Sequence, residues 1–310
     1  MKNFCIVPFV LLTAAASLFG QRSAEPPVSA RPIWEQDLRG TVAGLPFLQA
    51  ESAVVALAEG DVKSYSRQGN WLWTFRAGEG LTPHVSRAKE GTTYICTLGG
   101  AVIAINRVGR ELWRLNLGAP VTAPIVIGWD GRLFIPVGSK IYCRTASGYS
   151  LWMKDLGSPI FVKPVLDHRG GLALVLENNE FVLINHVSAL ERYRLSSLPL
   201  HIVPLQITEG EDSFYLFYQN GGIERIFRDK PGPEGIKPLK SESLPALSQT
   251  PAAAADFRDQ VAVTLQDGSV QLLSVPDARV LWTEAGHEAR AQGGTGNLEP
   301  YWAAMQFDER

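Results

Sequence analysis

Short apolar runs alternate with turn-forming residues along most of the chain. Val54–Ala58, Tyr94–Leu98, Leu133–Val137, Ala173–Leu176 and Val261–Leu265 each lead into a tight-turn pair: Glu59-Gly60, Gly99-Gly100, Gly138-Ser139, Asn179-Glu180 and Gly268-Ser269. A second run follows in Ala101–Ile105, Lys140–Cys143, Phe181–Ile184 and Val270–Leu273. Two apolar runs joined by a pair of turn residues form the pattern of a β-hairpin. Inner strands entered at a proline are expected near Pro83, Pro124 and Pro164, where no ladder donor is missed. No segment carries the 3.6-residue periodicity of a helix.

A longer period organises these hairpins. An aromatic residue with a small residue four positions before it recurs as Gly69/Trp73, Gly109/Trp113, Gly148/Trp152, Ala189/Tyr193 and Ala278/Trp282. The intervals are about 40 residues, with the last about twice that, in the range of propeller blades. Trp34 lies one period ahead of Trp73 and has Ala30 four residues before it. Four antiparallel strands in each period make one propeller blade.

The expected fold is therefore all-β, a β-propeller of four-stranded antiparallel blades, with seven blades preferred and six or eight compatible. Residues 201–245 form a degenerate copy, with Phe214–Tyr218, Asn220–Gly222 and Ile223–Phe227 keeping the hairpin but not the tryptophan. The strand of Trp34, joined by C-terminal strands such as Tyr301–Phe307, would supply a seventh blade and remove an exposed edge. The Pro- and Ala-rich stretch around 228–255 is expected to be an inserted surface loop. The anchor aromatics are expected to fill the wedge between blades, a structural task.

Composition adds compartment and removes several function classes. The 310 residues are 45% hydrophobic and 19% charged, a globular balance. The formal charge is −2 with no Lys/Arg run, which speaks against nucleic acid and polybasic membrane binding. Lys2 followed by apolar Phe4–Phe19 reads as a secretory signal peptide over residues 1–20, with a linker at 21–32 and a single propeller domain at 33–310. The expected location is export to the periplasm or cell envelope, with no integral membrane span after cleavage. No Cys follows the apolar run, which disfavours a lipid anchor. Cys5, Cys96 and Cys143 are too few for a disulfide scaffold and lack C-x-x-C spacing; Cys96 and Cys143 are expected on buried strands, their pairing left open.

Catalytic signatures are not found: there is no G-x-S-x-G, H-E-x-x-H, Walker loop or G-x-G-x-x-G. His84, His168, His186, His201 and His287 are scattered, with His84, His168 and His201 near expected inner strands. Acidic Glu209–Asp212 fits a solvated turn. Trp129, Phe161, Tyr301 and Trp302 are the candidates for a ligand site in a central channel, each also explained by packing. No catalytic, cofactor-binding or metal residue is assigned.

Ala104–Trp113 and Leu272–Trp282 resemble the repeat of the pyrroloquinoline-quinone-like (PQQ-like) propellers. Ser66, Asn106, Thr145, Asn185 and Ser274 stand where that family has its turn-forming Asp, and Gly69, Gly109 and Gly148 match its Gly. The Gly-His and Trp-Asp signatures of the other common blade are absent. The resemblance implies an exported, non-enzymatic scaffold with protein partners in the envelope or outer membrane, similar to the propeller subunit of the outer-membrane barrel assembly machinery. The missing lipid-attachment Cys is its departure. The alternatives are a propeller that binds a small molecule or glycan and, further off, a quinone-dependent dehydrogenase, whose adjacent cysteines have no counterpart here. No cofactor is expected, and the oligomeric state is left open.

Overall fold

The apolar runs become the middle strands of four-stranded sheets, covered on both faces by neighbouring sheets. Ala101–Ile105, Leu133–Val137 and Leu172–Leu176 are accordingly buried at every position, with no alternation. The computed structural model describes residues 34–44, 46–48, 52–185, 188–208, 211–228, 239–257 and 260–284.

The first blade contains β1 (Phe47–Leu48), β2 (Ser52–Ala56), β3 (Asp61–Ser66) and β4 (Trp71–Arg76). The second contains β5 (Ser86–Arg87), β6 (Thr93–Cys96), β7 (Ala101–Ile105) and β8 (Glu111–Asn116). The third contains β9 (Val126–Ile127), β10 (Leu133–Val137), β11 (Lys140–Arg144) and β12 (Ser150–Asp155). The fourth contains β13 (Val165–Leu166), β14 (Leu172–Leu176), β15 (Glu180–Ile184) and β16 (Leu190–Arg194). The fifth contains β17 (His201–Thr208), β18 (Glu211–Phe217), β19 (Ile223–Arg228) and β20 (Leu239–Leu244). The sixth contains β21 (Pro251–Phe257), β22 (Gln260–Leu265), β23 (Val270–Leu273) and β24 (Val280–Glu284).

Each sheet pairs its strands in chain order. Six such blades stand among the described residues, within the expected range of six to eight and one short of the preferred seven. The strand expected at Tyr301–Phe307, the signal peptide at 1–20 and the linker at 21–32 lie outside the described residues.

The stretch around 228–255 is not a single inserted loop. Its Leu239–Leu244 is the outer strand β20, paired with β19, and its Pro251–Ala255 opens β21. Pro251 is tolerated as the first residue of a strand on the inner edge, because its missing N–H faces no partner. Pro204, inside the eight-residue β17, obeys the same edge rule.

The core is divided between blades. One buried cluster joins Val54, Val62 and Trp73 of the first blade to Ile95, Ile103 and Ile105 of the second. Comparable clusters lie at the next four junctions, the one between the fourth and fifth blades bringing Phe181 and Phe214 together as a tilted pair with ring centroids 5.2 Å apart. Cys96 and Cys143 are free, fully buried and in different clusters.

The anchor tryptophans lock one blade to the next. In the turn after β3 the Ser66 hydroxyl accepts from the N–H groups of Gln68 and Asn70, and Asn106 does the same for Val108 and Arg110 after β7. Such a turn passes through a left-handed residue, Gly69, Gly109 or Gly148, replaced by Ser188 and Ala278 in two later blades. The flat, side-chain-free surface of each glycine receives the indole of the preceding repeat: Trp34 on Gly69, Trp73 on Gly109, Trp113 on Gly148. Each indole N–H donates to a carbonyl of the same turn at 2.8–2.9 Å. Trp34, although in no described strand, therefore fills the place of an anchor from a blade before the first. A ring of this size buries roughly 150–250 Å², about 4–6 kcal/mol as an upper bound.

Side-chain pairs also join the fourth blade to the fifth. The Tyr193 hydroxyl meets Ser241 Oγ at 2.8 Å, and Arg228 forms a bidentate pair with Glu191 at 2.6 Å.

Candidate protein-binding surface

Chain order places two sets of turns at one end of the blades: those joining first and second strands, and those joining third and fourth. Gly91 and Gly131, in the first set, lie against Arg107 and Ala146 of the second. The hairpin turns between second and third strands are at the opposite end.

In the third blade the first-to-second turn is closed by Gly128 and Arg132, whose N–H and carbonyl meet at 2.7 Å. Asp130 accepts from the Arg132 N–H at 3.1 Å and pairs with its guanidinium. Burial pushes the Asp130 pKa up, but the Arg132 N–H and guanidinium outweigh it and hold the carboxyl below its usual range. In the fourth blade Asp167 caps its own turn, accepting from the N–H groups of Arg169 and Gly171 at 2.9 and 2.6 Å. Both carboxylates are thus committed within their turns.

The residue after each closing position points outward, and in three adjacent blades these are Lys89, Trp129 and His168. Trp129 is 66% exposed. Its ring is spanned from both sides: Lys89 Nζ stands 5.2 Å from the ring centroid, and the indole N–H reaches the Asp167 carbonyl at 3.4 Å. Beside it a cavity of about 140 Å³ is lined by Trp129, Asp130, Arg132, Phe134 and Arg169. Exposed Val108 and Tyr149 occupy the neighbouring outer turns of the same end.

Charge is unevenly spread over the turns of the first four blades. Among the described residues of the first four blades, the turns at the Trp129 end carry Arg67, Lys89, Arg107, Arg110, Arg132 and Arg169 against Glu90, Asp130 and Asp167. The hairpin turns at the other end carry Glu59 and Glu177 and no Lys or Arg. Among these described turns of the first four blades, cations therefore outnumber carboxylates at the Trp129 end.

The channel candidates do not come together. Trp129 lies in a turn at one end, whereas Phe161 pairs through its N–H with Val175 at the opposite end of an inner strand. Tyr301 and Trp302 lie outside the described residues. His84 precedes β5 and His201 opens β17, both half-buried. Burial lowers the pKa of each, partly offset at His201 by hydrogen bonds to the backbone of Pro251 and Ala252. His168 is exposed in its turn, and His186 and His287 are outside the described residues. No group of three or more His, Cys, Asp or Glu side chains able to hold a metal occurs among the described residues. Lys89, Arg132 and Arg169 were not among the residues singled out from sequence; the spacing of Lys89 and Trp129 by one repeat was the available signal.

Residues 98–195, from the second blade through the fourth, match the family model described as outer membrane protein assembly factor BamB. Over that stretch the chain is similar to the PQQ-like propeller repeat. Among solved structures, BamB from Moraxella catarrhalis superposes with a TM-score of 0.53 at 18% identity, covering 78% of this chain and 72% of that one. The Cps50 (Swd1) β-propeller domain of Myceliophteria thermophila superposes with a TM-score of 0.58 at 11% identity, covering 80% and 86%. At these identities the likeness is one of fold. No curated protein matches the sequence significantly. The PQQ-like match includes the Asn106 turn, the Trp113–Gly148 contact and the whole Trp129 turn.

Proposed function

We propose that the chain is an exported, non-enzymatic protein-binding scaffold of the cell envelope, working in outer-membrane protein assembly. The observation that carries this reading is the match of residues 98–195 to the BamB family model, on a propeller of the same fold as BamB. Trp129, 66% exposed beside Lys89, supplies a surface suited to a protein partner, because exposed aromatic side chains are typical interface anchors. Among the described residues no helix is long and apolar enough to cross a membrane. In this reading residues 1–20 direct export, residues 21–32 link to the propeller, and no residue is assigned a catalytic, cofactor or metal role.

The test is affinity capture of the tagged protein from its native envelope after mild cross-linking, with mass spectrometry of the captured proteins. Outer-membrane barrels and their assembly subunits are the expected recovery. Recovery of background only would overturn the reading, as would reduction of an electron acceptor by the purified protein with an alcohol or sugar after quinone and calcium are added.

A further inference from the structure

We infer that Ser64 of the first blade, with Arg87 and Thr93 of the second, forms a buried site for a small inorganic anion of chloride size. The site lies at the junction of the two blades and goes beyond the scaffold reading, on which it does not depend.

The repeat shows what these residues replace. Arg87 faces Thr93 across the first two strands of its blade, where the third blade pairs Ile127 with Leu133 and the fourth pairs Leu166 with Leu172. Ser64 stands opposite the anchor Trp73, where the next two blades have Ala104 opposite Trp113 and Cys143 opposite Trp152. Between the second and third blades Ala104, Leu133 and Ile127 pack in one apolar cluster, and at the next junction Cys143, Leu172 and Leu166 do the same. Blade packing therefore brings Ser64, Thr93 and Arg87 together in the same way, but as a polar set.

The rest of the protein leaves this set unsatisfied. Ser64 and Thr93 are 1% and 0% exposed, and Ser64 Oγ, Thr93 Oγ1 and both Nε and Nη1 of Arg87 are buried without a hydrogen-bond partner. Of the guanidinium only Nη2 is engaged, donating to Ser52 Oγ at 3.2 Å. Burial lowers the Arg87 pKa, and the residue forms no ion pair with any described carboxylate. A guanidinium taken out of water needs a negative charge beside it. Arg has donors only, and a Ser or Thr hydroxyl can also donate, so one enclosed anion accepts from every orphaned group. A water molecule would satisfy the hydroxyls and leave the charge uncompensated.

The surroundings favour the same sign. A Cβ on Gly91 would lie 3.2 Å from Arg107 Cβ and 3.8 Å from Arg87 Nη2, so a second arginine side chain begins beside the site. Glu90, in the turn of Gly91, is exposed and pairs with neither arginine. The orphaned atoms are out of contact with solvent, which fits a small enclosed ion rather than a peptide carboxylate.

The test is thermal unfolding of the full chain in sodium chloride and in sodium gluconate at equal ionic strength. Chloride is expected to raise Tm saturably by about 2–4 °C, while gluconate, too large to be enclosed, does not. Arg87→Leu with Thr93→Leu, the pair that the fourth blade carries as Leu166 and Leu172, should fold and lose the chloride response. Thr93→Val should keep the response but require about tenfold more chloride. Arg110→Leu, in an exposed turn of the same blade, should leave it unchanged. Anomalous diffraction from crystals grown in sodium bromide should place a bromide within hydrogen-bond reach of Arg87 Nη1 and Thr93 Oγ1.

Equal Tm values in the two salts would overturn the inference and assign the counter-charge of Arg87 to a carboxylate of the chain. A chloride response that survives Arg87→Leu with Thr93→Leu would overturn it too, since the ion would then bind elsewhere. Bromide found on the surface alone, an adventitious ion only, has the same meaning. Should the double variant not fold, Thr93→Val and the bromide position decide: an unchanged chloride midpoint, or no bromide at Arg87, refutes the site.

Discussion

The indole N–H of Trp73, on the outer strand of the first blade, donates to the carbonyl of Arg107 at 2.9 Å, across the junction with the second. Trp34 and Trp113 repeat this bond with Arg67 and Ala146. In each case the ring lies on the left-handed glycine two residues after the accepting carbonyl. Hydrogen bond, ring contact and backbone conformation therefore form one joint, and its parts are separately testable.

Replacing Gly109 by Ala places a Cβ 2.8 Å from the Trp73 ring at φ +81°, whereas Gly118 at φ +77° has nothing within 4 Å. Both variants carry the left-handed penalty of about 1–2 kcal/mol, but only Gly109→Ala must also displace the indole, adding about 1–3 kcal/mol. Denaturant midpoints of the two should differ accordingly. Equal losses would show that the ring contact contributes nothing beyond backbone strain.

Trp73 and Trp71 are two residues apart on one strand and are 8% and 64% exposed. Trp73→Ala should cost about 3–5 kcal/mol, as for other buried aromatics, and Trp71→Ala within about 0.5 kcal/mol of zero. Thermal unfolding of both variants checks the orientation of β4. A large loss at Trp71 would reverse it.

Acid should destabilise the fold through His84 and His201. Burial lowers both pKa values, so below the ordinary value of 6.5 the unfolded chain binds more protons than the folded one. The stability these groups contribute is present above pH 6.5 and is lost as pH falls through the lowered folded values. Urea midpoints measured from pH 7 downward should fall, and His84→Gln with His201→Gln should flatten that slope.

Cys96 and Cys143 should resist thiol reagents until the protein unfolds. Burial pushes Cys96 from the ordinary 9.0 up to about 12 and Cys143 up to about 11. The folded state holds these protons more tightly, so the associated stability is intact below pH 9 and fades as pH rises toward 11 and 12. In a Cys5→Ser background, no thiol should react with an aromatic disulfide reagent at pH 8 in buffer and two should react in denaturant. Rapid reaction in buffer would contradict the burial.

The blades were legible because their signals are local. A hairpin needs turn residues between two apolar runs, and the Ser66, Asn106 and Thr145 turns need a small residue at one offset before the anchor. The stretch 228–255 misled for the same reason: Leu239–Leu244 is polar enough to resemble a loop, and its strand state comes from pairing with Ile223–Arg228. Trp129 was visible as an aromatic of interest but was assigned to the channel, because a side chain in a turn carries no signal of which end of the fold the turn occupies.

What the sequence determined by itself was the repeat: its period, four-stranded unit, anchor rings and the polar residues that bend each outer turn, since each depends on residues close along the chain. Only the tertiary structure decided that the turns of Lys89, Trp129 and Arg169, in three adjacent blades, stand side by side. That relation lies between turns of different blades, and it exists only once the blades have packed.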